Sequence, residues 1–277
     1  MAEIAAALAV LNEAIAAHEP AHVFALFSGG HDSLTATAIT AAHPRFTAAV
    51  HINTGIGIDE TREFVRETCA EQDWPLLEYG PPEMLAGHRM GPQMTYEEMV
   101  LAWGFPGPPQ HKVMYTRLKE RALRVLASDY GPNRILLATG IRWQESTRRM
   151  RNYAKSGKFD RHGRWVWANP IADWSKAECN DFIAWKRLRR NPVVDLIHKS
   201  GECLCGAFAA DGEIVDLEQW FPAVAARLHD LEQRAEAAGQ IACVWGRRMD
   251  DVNHQQTRLF PILPLCQSCE AVGVSDA

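Results

Sequence analysis

The stretch Phe24–Thr37, FALFSGGHDSLTAT, decides how the rest of the chain is read. A short apolar run, Val23 to Phe27, breaks at Ser28-Gly29-Gly30. It passes through His31-Asp32-Ser33 and becomes a helical pattern of Leu34, Ala36, Ala38 and Ile39. That is the signature of a buried strand, a tight glycine turn and a helix start. The two glycines let backbone N–H groups approach an anion, and a helix N-terminus adds the positive end of its dipole. Ser28 and Ser33 supply hydroxyls, and Asp32 a carboxylate that orients backbone groups or meets a metal. No lysine follows the glycines, so this is not the GxxxxGK loop completed by Ser or Thr.

Outward from this loop, Phe46–Ile52 (FTAAVHI) reads as a second strand ending in Asn53-Thr54-Gly55. Asp59–Ala70 reads as a helix with Asp59 as N-cap and Phe64, Val65 and Thr68 on one side. Trp74–Glu78 reads as a third strand. The βαβαβ rhythm predicts an α/β fold, a parallel sheet with helices on both faces. In such sheets ligands sit at the carboxyl ends of the strands, which brings Asn53, Thr54 and Gly55 near Ser28. GFPGPP at 104–109 reads as a rigid loop leading into an amphipathic helix over His111–Ala127, with a basic side of His111, Lys112, Arg117, Lys119 and Arg121. Ile135–Ala138 is a further buried strand, turning at Thr139-Gly140-Ile141-Arg142. A hairpin-like excursion at 155–165 follows. Asp173 reads as an N-cap of a helix running to about Arg190, stopped by Asn191-Pro192. Trp174 and Trp185 read as core.

The hexapeptide SGGHDS resembles the PP-loop, SGGxDS, of the ATP pyrophosphatase and phosphoadenosine phosphosulfate (PAPS) reductase superfamily. Three further segments resemble that superfamily: NTGIGIDETREFV, TGIRWQESTRR, and NPIADWSKAECNDFIAWKRLRRNPVVDLI. The resemblance covers about residues 20 to 205. It implies an adenine nucleotide alpha hydrolase-like, Rossmann-like fold in which the loop holds a phosphate or sulfate of an adenine nucleotide. On that basis the nucleotide-binding residues are Ser28, Gly29, Gly30, Asp32, Ser33, Asn53, Thr54, Gly55, Gly140, Arg142, Glu145, Arg148 and Arg149, with Asp32, Arg142 and Ser28 as the catalytic set. A guanidinium suits phosphate as a planar fork of donors, and Glu145 is expected to orient Arg142 or its loop. Asn53 stands where the superfamily usually has an acid.

Two cysteine pairs, Cys203-Leu204-Cys205 and Cys266-Gln267-Ser268-Cys269, have ligand spacing for a four-thiolate site. The chemistry suits a 4Fe–4S cluster or structural zinc, and the resemblance favours the cluster. Cys243 is a substitute ligand or a sulfur carrier. Cys69 and Cys179 read as ordinary buried residues. The Cys-Cys pair of many iron–sulfur reductases and the ECGxH motif of cluster-free ones do not occur in this sequence. Residues 1–175 are thus expected to form the nucleotide domain, and 176–277 a C-terminal helical, cysteine-rich lobe. Val215–Gly239 supplies one or two helices there, with Pro222 at a start or kink.

Composition sets the outer limits. An apolar fraction of 47% with 23% charged residues is that of an ordinary globular chain. No apolar run has the length of a membrane span, and the N-terminal stretch reads as an amphipathic helix, so a cytoplasmic protein without a membrane partner is expected. The odd count of 7 cysteines fits a disulfide framework poorly. Net charge is -5, yet Arg142 to Arg164 holds eight Arg or Lys against Glu145 and Asp160, and Lys186, Arg187, Arg189 and Arg190 add a second basic cluster. A basic band on an acidic chain points to a polyanionic partner. The leading expectation is an ATP pyrophosphatase using ATP with Mg²⁺. It adenylates an acceptor, a nucleic-acid phosphate, for sulfur incorporation, with a cysteine desulfurase or other sulfur donor as partner. In character it is closest to the iron–sulfur PAPS-reductase-like proteins of DNA phosphorothioation systems. The alternatives are a phosphosulfate reductase yielding sulfite, and a non-catalytic nucleotide-binding iron–sulfur partner protein.

Overall fold

The computed structural model describes residues 2–80, 94–145 and 157–246. The chain opens with α1 (Ala2–His18), β1 (His22–Leu26), α2 (His31–Ala41), β2 (Phe46–Ile52), α3 (Asp59–Glu71) and β3 (Leu76–Tyr79). Then come α4 (Tyr96–Trp103), α5 (His111–Tyr115), α6 (Arg121–Asp129) and β4 (Ile135–Ala138). The hairpin β5 (Phe159–His162) and β6 (Trp165–Ala168) follows. The last helices are α7 (Lys176–Trp185), α8 (Pro192–Ile197), α9 (Glu213–Trp220) and α10 (Pro222–Ala237).

The six strands form one sheet in the order β3-β2-β1-β4-β6-β5. All neighbours run parallel except β5 and β6, which pair antiparallel. Strand β1 is wholly buried at Val23, Phe24 and Ala25 because each face is covered. One face packs Val23, Phe27, Leu34 and Ile39 against α1, α3 and α7. The other packs Phe24, Val50 and Leu137 against Leu123 and Leu126 of α6. Each such side chain contributes about 1.5–3 kcal/mol by leaving water. A separate cluster joins Met99, Met114, Leu118, Leu204, Leu217 and Leu228, from α4, α5, α9 and α10 and the turns between.

Several local expectations are corrected. The helix expected over His111–Ala127 is interrupted by a wide π turn at Thr116–Glu120. Met114 and Leu118 face the separate cluster, whereas Leu123 and Leu126 face the sheet. The extra residue of a π turn lets one helix serve two cores. Asp59 is the first residue of α3 and pairs with Arg62, while Ile58 occupies the cap. Asp173 pairs with Lys158, and Ser175 caps α7 in a reciprocal box with Glu178. That helix ends at Trp185, which is 57% exposed and not core, whereas Trp174 is buried against Phe182. Asn191 does not simply stop a helix: it caps α8. Cys69 and Cys179 are buried, and burial pushes both thiols up to about 12. The last two helices divide at Pro222, the first residue of α10.

Candidate functional site: a glycine loop at the strand reversal, tied to a thiol pair

Strand order reverses between β1 and β4, since β2 and β3 lie on one side and β6 and β5 on the other. The carboxyl ends of β1 and β4 therefore open a crevice, the usual ligand position in such a sheet. Ser28-Gly29-Gly30 fills the end of β1. Gly30 caps α2 with no side-chain hydrogen bond, so the first amides of α2 remain available to an anion. Ser33 Oγ donates to Gly30 O at 2.8 Å, and Ser28 Oγ donates to Ser33 Oγ at 3.1 Å. Gly29 sits at φ +79°, and a Cβ there would lie 2.7 Å from Thr61 Cγ2. Both facts demand glycine. From the β4 side, a Cβ on Gly140 would stand 2.6 Å from Ser33 N, so the two turns touch backbone to backbone.

Arg142 is 6% exposed and its Nε lies 3.0 Å from Asp32 Oδ2. The pair bridges the two turns and aligns a guanidinium beside the loop, a geometry suited to phosphate or sulfate. Thr139 Oγ1 donates to Asn169 Oδ1 at 2.6 Å, fixing the β4 turn from the neighbouring strand end. His31, also buried, accepts from Arg190 Nη2 at Nδ1 (3.3 Å). Burial and the Arg190 charge hold its pKa below the ordinary value.

Asn53, Thr54 and Gly55 do end β2 at the same edge, but their polar groups turn toward protein. Asn53 donates to Glu78 Oε1 and accepts from Gly55 N and Arg62 Nη1. Thr54 N donates to Glu202 Oε1 at 2.8 Å, and Thr54 Oγ1 to Glu202 O at 2.6 Å. Glu145 lies in the short turn Trp143–Glu145 after Arg142. Arg148, Arg149, Cys266 and Cys269 lie outside the described residues.

Four residues that the pattern alone does not reveal hold this site together. Asn191 Nδ2 donates to Gly29 O at 2.9 Å and to Thr61 Oγ1 at 3.2 Å. Thr61 Oγ1 in turn donates to Ser200 O at 2.5 Å. Glu202 is buried with His51, whose Nε2 stands 3.1 Å from Glu202 Oε2 while Nδ1–H donates to Phe27 O at 2.8 Å. An oxygen thus faces each ring nitrogen of His51. Burial disfavours a charged ring, but the Glu202 hydrogen bond and charge outweigh it and raise the pKa. A histidine inside an apolar strand and a glutamate beside a Cys-x-Cys were the available signals for this pair.

The segment after Ser200 carries the first cysteine pair. Ser200 Cβ is 3.7 Å from where a Gly30 Cβ would sit, and Cys203 is three residues on, at most about 11 Å of extended chain. Tyr96 Oη donates to Cys205 O at 3.0 Å and Trp245 Nε1 to Leu204 O at 2.7 Å, pinning the Cys-x-Cys backbone. The thiols open into a cleft of about 180 Å³ lined also by His111, Tyr115, Lys119 and Lys199. A hydrogen bond from the Cys205 thiol, helped by the Lys119 ammonium, lowers the Cys203 pKa to about 6, while Cys205 is pushed well up. Burial works against the Lys119 charge, but Cys203, Glu202 and Cys205 outweigh it and raise its pKa. Cys243 is half-buried beside the same cluster, two residues before Trp245. Among the described residues no group of three or more His, Cys, Asp or Glu is placed to hold a metal ion. Cys203 and Cys205 line the cleft as a pair of neighbouring thiols.

The model of the phosphoadenosine phosphosulfate reductase domain matches residues 22–200. The chain belongs to that family. Members of the PAPS reductase domain family are sulfur-related nucleotide-binding enzymes, and the matched span runs from β1 to Ser200, beside the loop. Among solved structures, PAPS reductase from Candida auris in a phosphate complex shares the fold, with 17% identity over 69% of this chain and 84% of that one, at a TM-score of 0.50. Two weaker likenesses are FMN adenylyltransferase from Candida glabrata, with FAD and pyrophosphate (12% identity, 70% and 60% coverage, TM-score 0.47), and U34-tRNA thiolase NcsA from Methanococcus maripaludis, with its 4Fe–4S cluster (13%, 78% and 72%, TM-score 0.41). No curated protein matches the sequence. Among the described residues no helix is long and apolar enough to cross a membrane.

Proposed function

We propose that this family member is an ATP pyrophosphatase that adenylates a nucleic-acid phosphate for sulfur incorporation, as in DNA phosphorothioation. The observation that carries the reading is the short segment Ser200–Cys205, which joins the anion loop to a paired thiol cleft. Activation of an acceptor and delivery of sulfur then lie within one reach. ATP enters with Mg²⁺, which offsets phosphate charge. The amides of α2, Ser28, Ser33 and Arg142 grip the phosphates, and Asp32 aligns Arg142. An acceptor oxygen attacks the α-phosphorus, the bond to the bridging oxygen breaks, and pyrophosphate leaves. A thiol reductant frees sulfide from the persulfide of a cysteine desulfurase or similar donor, itself ending in a disulfide, and that sulfide displaces AMP from the adenylated phosphate. The protein contributes positioning and charge stabilisation.

The thiolates Cys203, Cys205, Cys266 and Cys269 are assigned to a 4Fe–4S cluster, which supplies electron-transfer or bracing chemistry when bound; zinc is the alternative occupant. Iron, acid-labile sulfide and zinc analysis of anaerobically purified protein separates the two. Cys243 is the substitute ligand or sulfur carrier. The second reading, PAPS reduction to sulfite, is favoured by the family match itself. Against it stands the pairing of Cys203 with Cys205 in a pinned backbone, a donor pair and not a lone nucleophile. The test is anaerobic incubation with ATP, Mg²⁺, oligonucleotide and a persulfide donor, following pyrophosphate and AMP. Sulfite from PAPS with a dithiol, and no pyrophosphate from ATP, would overturn the proposal in favour of the reductase.

A further inference from the structure

The surface of α5, the wide turn and α6 carries an unusual charge arrangement. Lys112, Arg117, Lys119, Arg121 and Arg124 fall there against two acids, Glu120 and, at the far end of α6, Asp129. Lys119 faces the thiol cleft and Arg124 reaches Glu120 at 3.8 Å. Among the described residues Lys112, Arg117 and Arg121 have no carboxylate partner, although the chain holds 34 Asp and Glu. Other basic residues find one: Arg66 pairs with Glu78, Arg189 with Glu67, Arg190 with Asp195 and Arg234 with Glu97. Partial burial and the neighbouring charges of Arg117 and Arg124 lower the Arg121 pKa, so the guanidinium groups of Arg117 and Arg121 stand close enough to repel, with Glu120 offsetting only Arg124. Arg121 and Arg124 stand one turn apart at the start of α6, and Arg117 lies in the wide turn that leads into it.

Aromatic surface borders that row. Trp103, at the end of α4, is 52% exposed, and the Arg117 guanidinium lies 6.0 Å from its ring centroid. Tyr115 and Val113 are exposed on the same helix. Because α6 leads directly into β4, its far end and the wide turn point toward the sheet edge that bears the glycine loop and the cleft. A cationic row beside open aromatic faces is the composition that holds a single strand, whose bases are free to stack.

We propose that Trp103, Arg117 and Arg121, flanked by Lys112 and Arg124, form a docking surface for single-stranded nucleic acid, with phosphates on the arginines and a base on Trp103. The surface rests on the nucleic-acid acceptor proposed above and names where that acceptor lies. Fluorescence anisotropy of labelled oligothymidylate, titrated over a series of salt concentrations without ATP, tests it. Wild-type affinity is expected to fall with salt. Arg117→Glu with Arg121→Glu should weaken binding by at least about tenfold and lower the salt slope by about 1.4, two phosphates at about 0.7 each. Trp103→Ala should weaken single-strand binding by about tenfold and duplex binding less.

Wild-type affinity in both variants would overturn the surface while leaving the acceptor standing. Loss of ATP binding in the double variant would overturn it by assigning the arginines to the nucleotide site. Displacement by polyglutamate as effective as by oligonucleotide would replace the strand with an acidic protein. A wild-type protein that binds no oligonucleotide but releases pyrophosphate from ATP with another acceptor would overturn the surface and the nucleic-acid acceptor together, with adenylation intact.

Discussion

Asp32 has two tasks that one substitution separates. Its carboxylate neutralises Arg142, which is too buried to be hydrated, and it holds that guanidinium against the loop. Asp32→Asn keeps the shape and removes the carboxylate charge facing the buried guanidinium, at a cost of about 1–3 kcal/mol. Urea unfolding is expected to show that loss, and nucleotide affinity to fall at least tenfold in a titration; unchanged values for both would remove the pair from the site. The two histidines flanking the loop respond to pH in opposite directions. His31 is held below its ordinary 6.5, so the unfolded chain binds the proton first and stability is lost as pH falls below about 6.5. His51 is raised above 6.5, so its contribution is full below that value and is lost as pH rises through the folded pKa. His51→Gln should therefore flatten the decline of unfolding free energy above pH 6.5, and His31→Asn the decline below it. Parallel profiles for either variant and wild type would contradict the assignment.

Helices and turns carry the next set of constraints. Gly140→Ala drives a methyl group to within 2.6 Å of Ser33 N, so either the β4 turn or the first turn of α2 must shift. Overpacking of this kind costs about 1–3 kcal/mol; nucleotide affinity should drop with it, and a variant that binds normally would show the turns to be independent. Ser175→Ala removes half of the capping box of α7 and should cost about 1 kcal/mol in urea unfolding with nucleotide binding unchanged. At this scale the glycine loop was legible in sequence because strand, turn and helix signals follow one another within fourteen residues. The parallel sheet followed from the same local alternation, whereas the strand order, with its reversal between β1 and β4, rests on long-range pairing that local alternation does not encode. The interruption of the helix between His111 and Asp129 was not legible, since it answers to two cores that only the folded chain defines. Asp59 and Asp173 matched a cap by residue type, but Arg62 and Lys158 compete for them. The His51–Glu202 contact joins residues 151 apart in number, and neither neighbourhood announces the other. Of the basic clusters, composition saw the charge and not its partners: Arg189 and Arg190 are already neutralised.

Over the whole molecule, the sheet cores and the separate cluster meet through α6, Glu202 and the loop after α8. Helices α9 and α10 cover Tyr96, Met99, Met114 and Leu118. A chain cut after residue 212 should bind a hydrophobic dye and unfold with reduced cooperativity; a truncated chain with wild-type melting and no dye binding would show that the cluster needs no such cover. The hydrogen bonds that shape the glycine loop have a further consequence in time. Gly29 is held by a residue 162 positions later, Thr61 by one 139 positions later and Thr54 by one 148 positions later. During synthesis the strand and helix around Ser28 emerge early, yet the anchor at Asn191 and the braces at Ser200 and Glu202 are still to be made. A growing chain shorter than about 200 residues therefore carries the loop's sequence without its shape, and competence to hold a nucleotide arrives late and all at once.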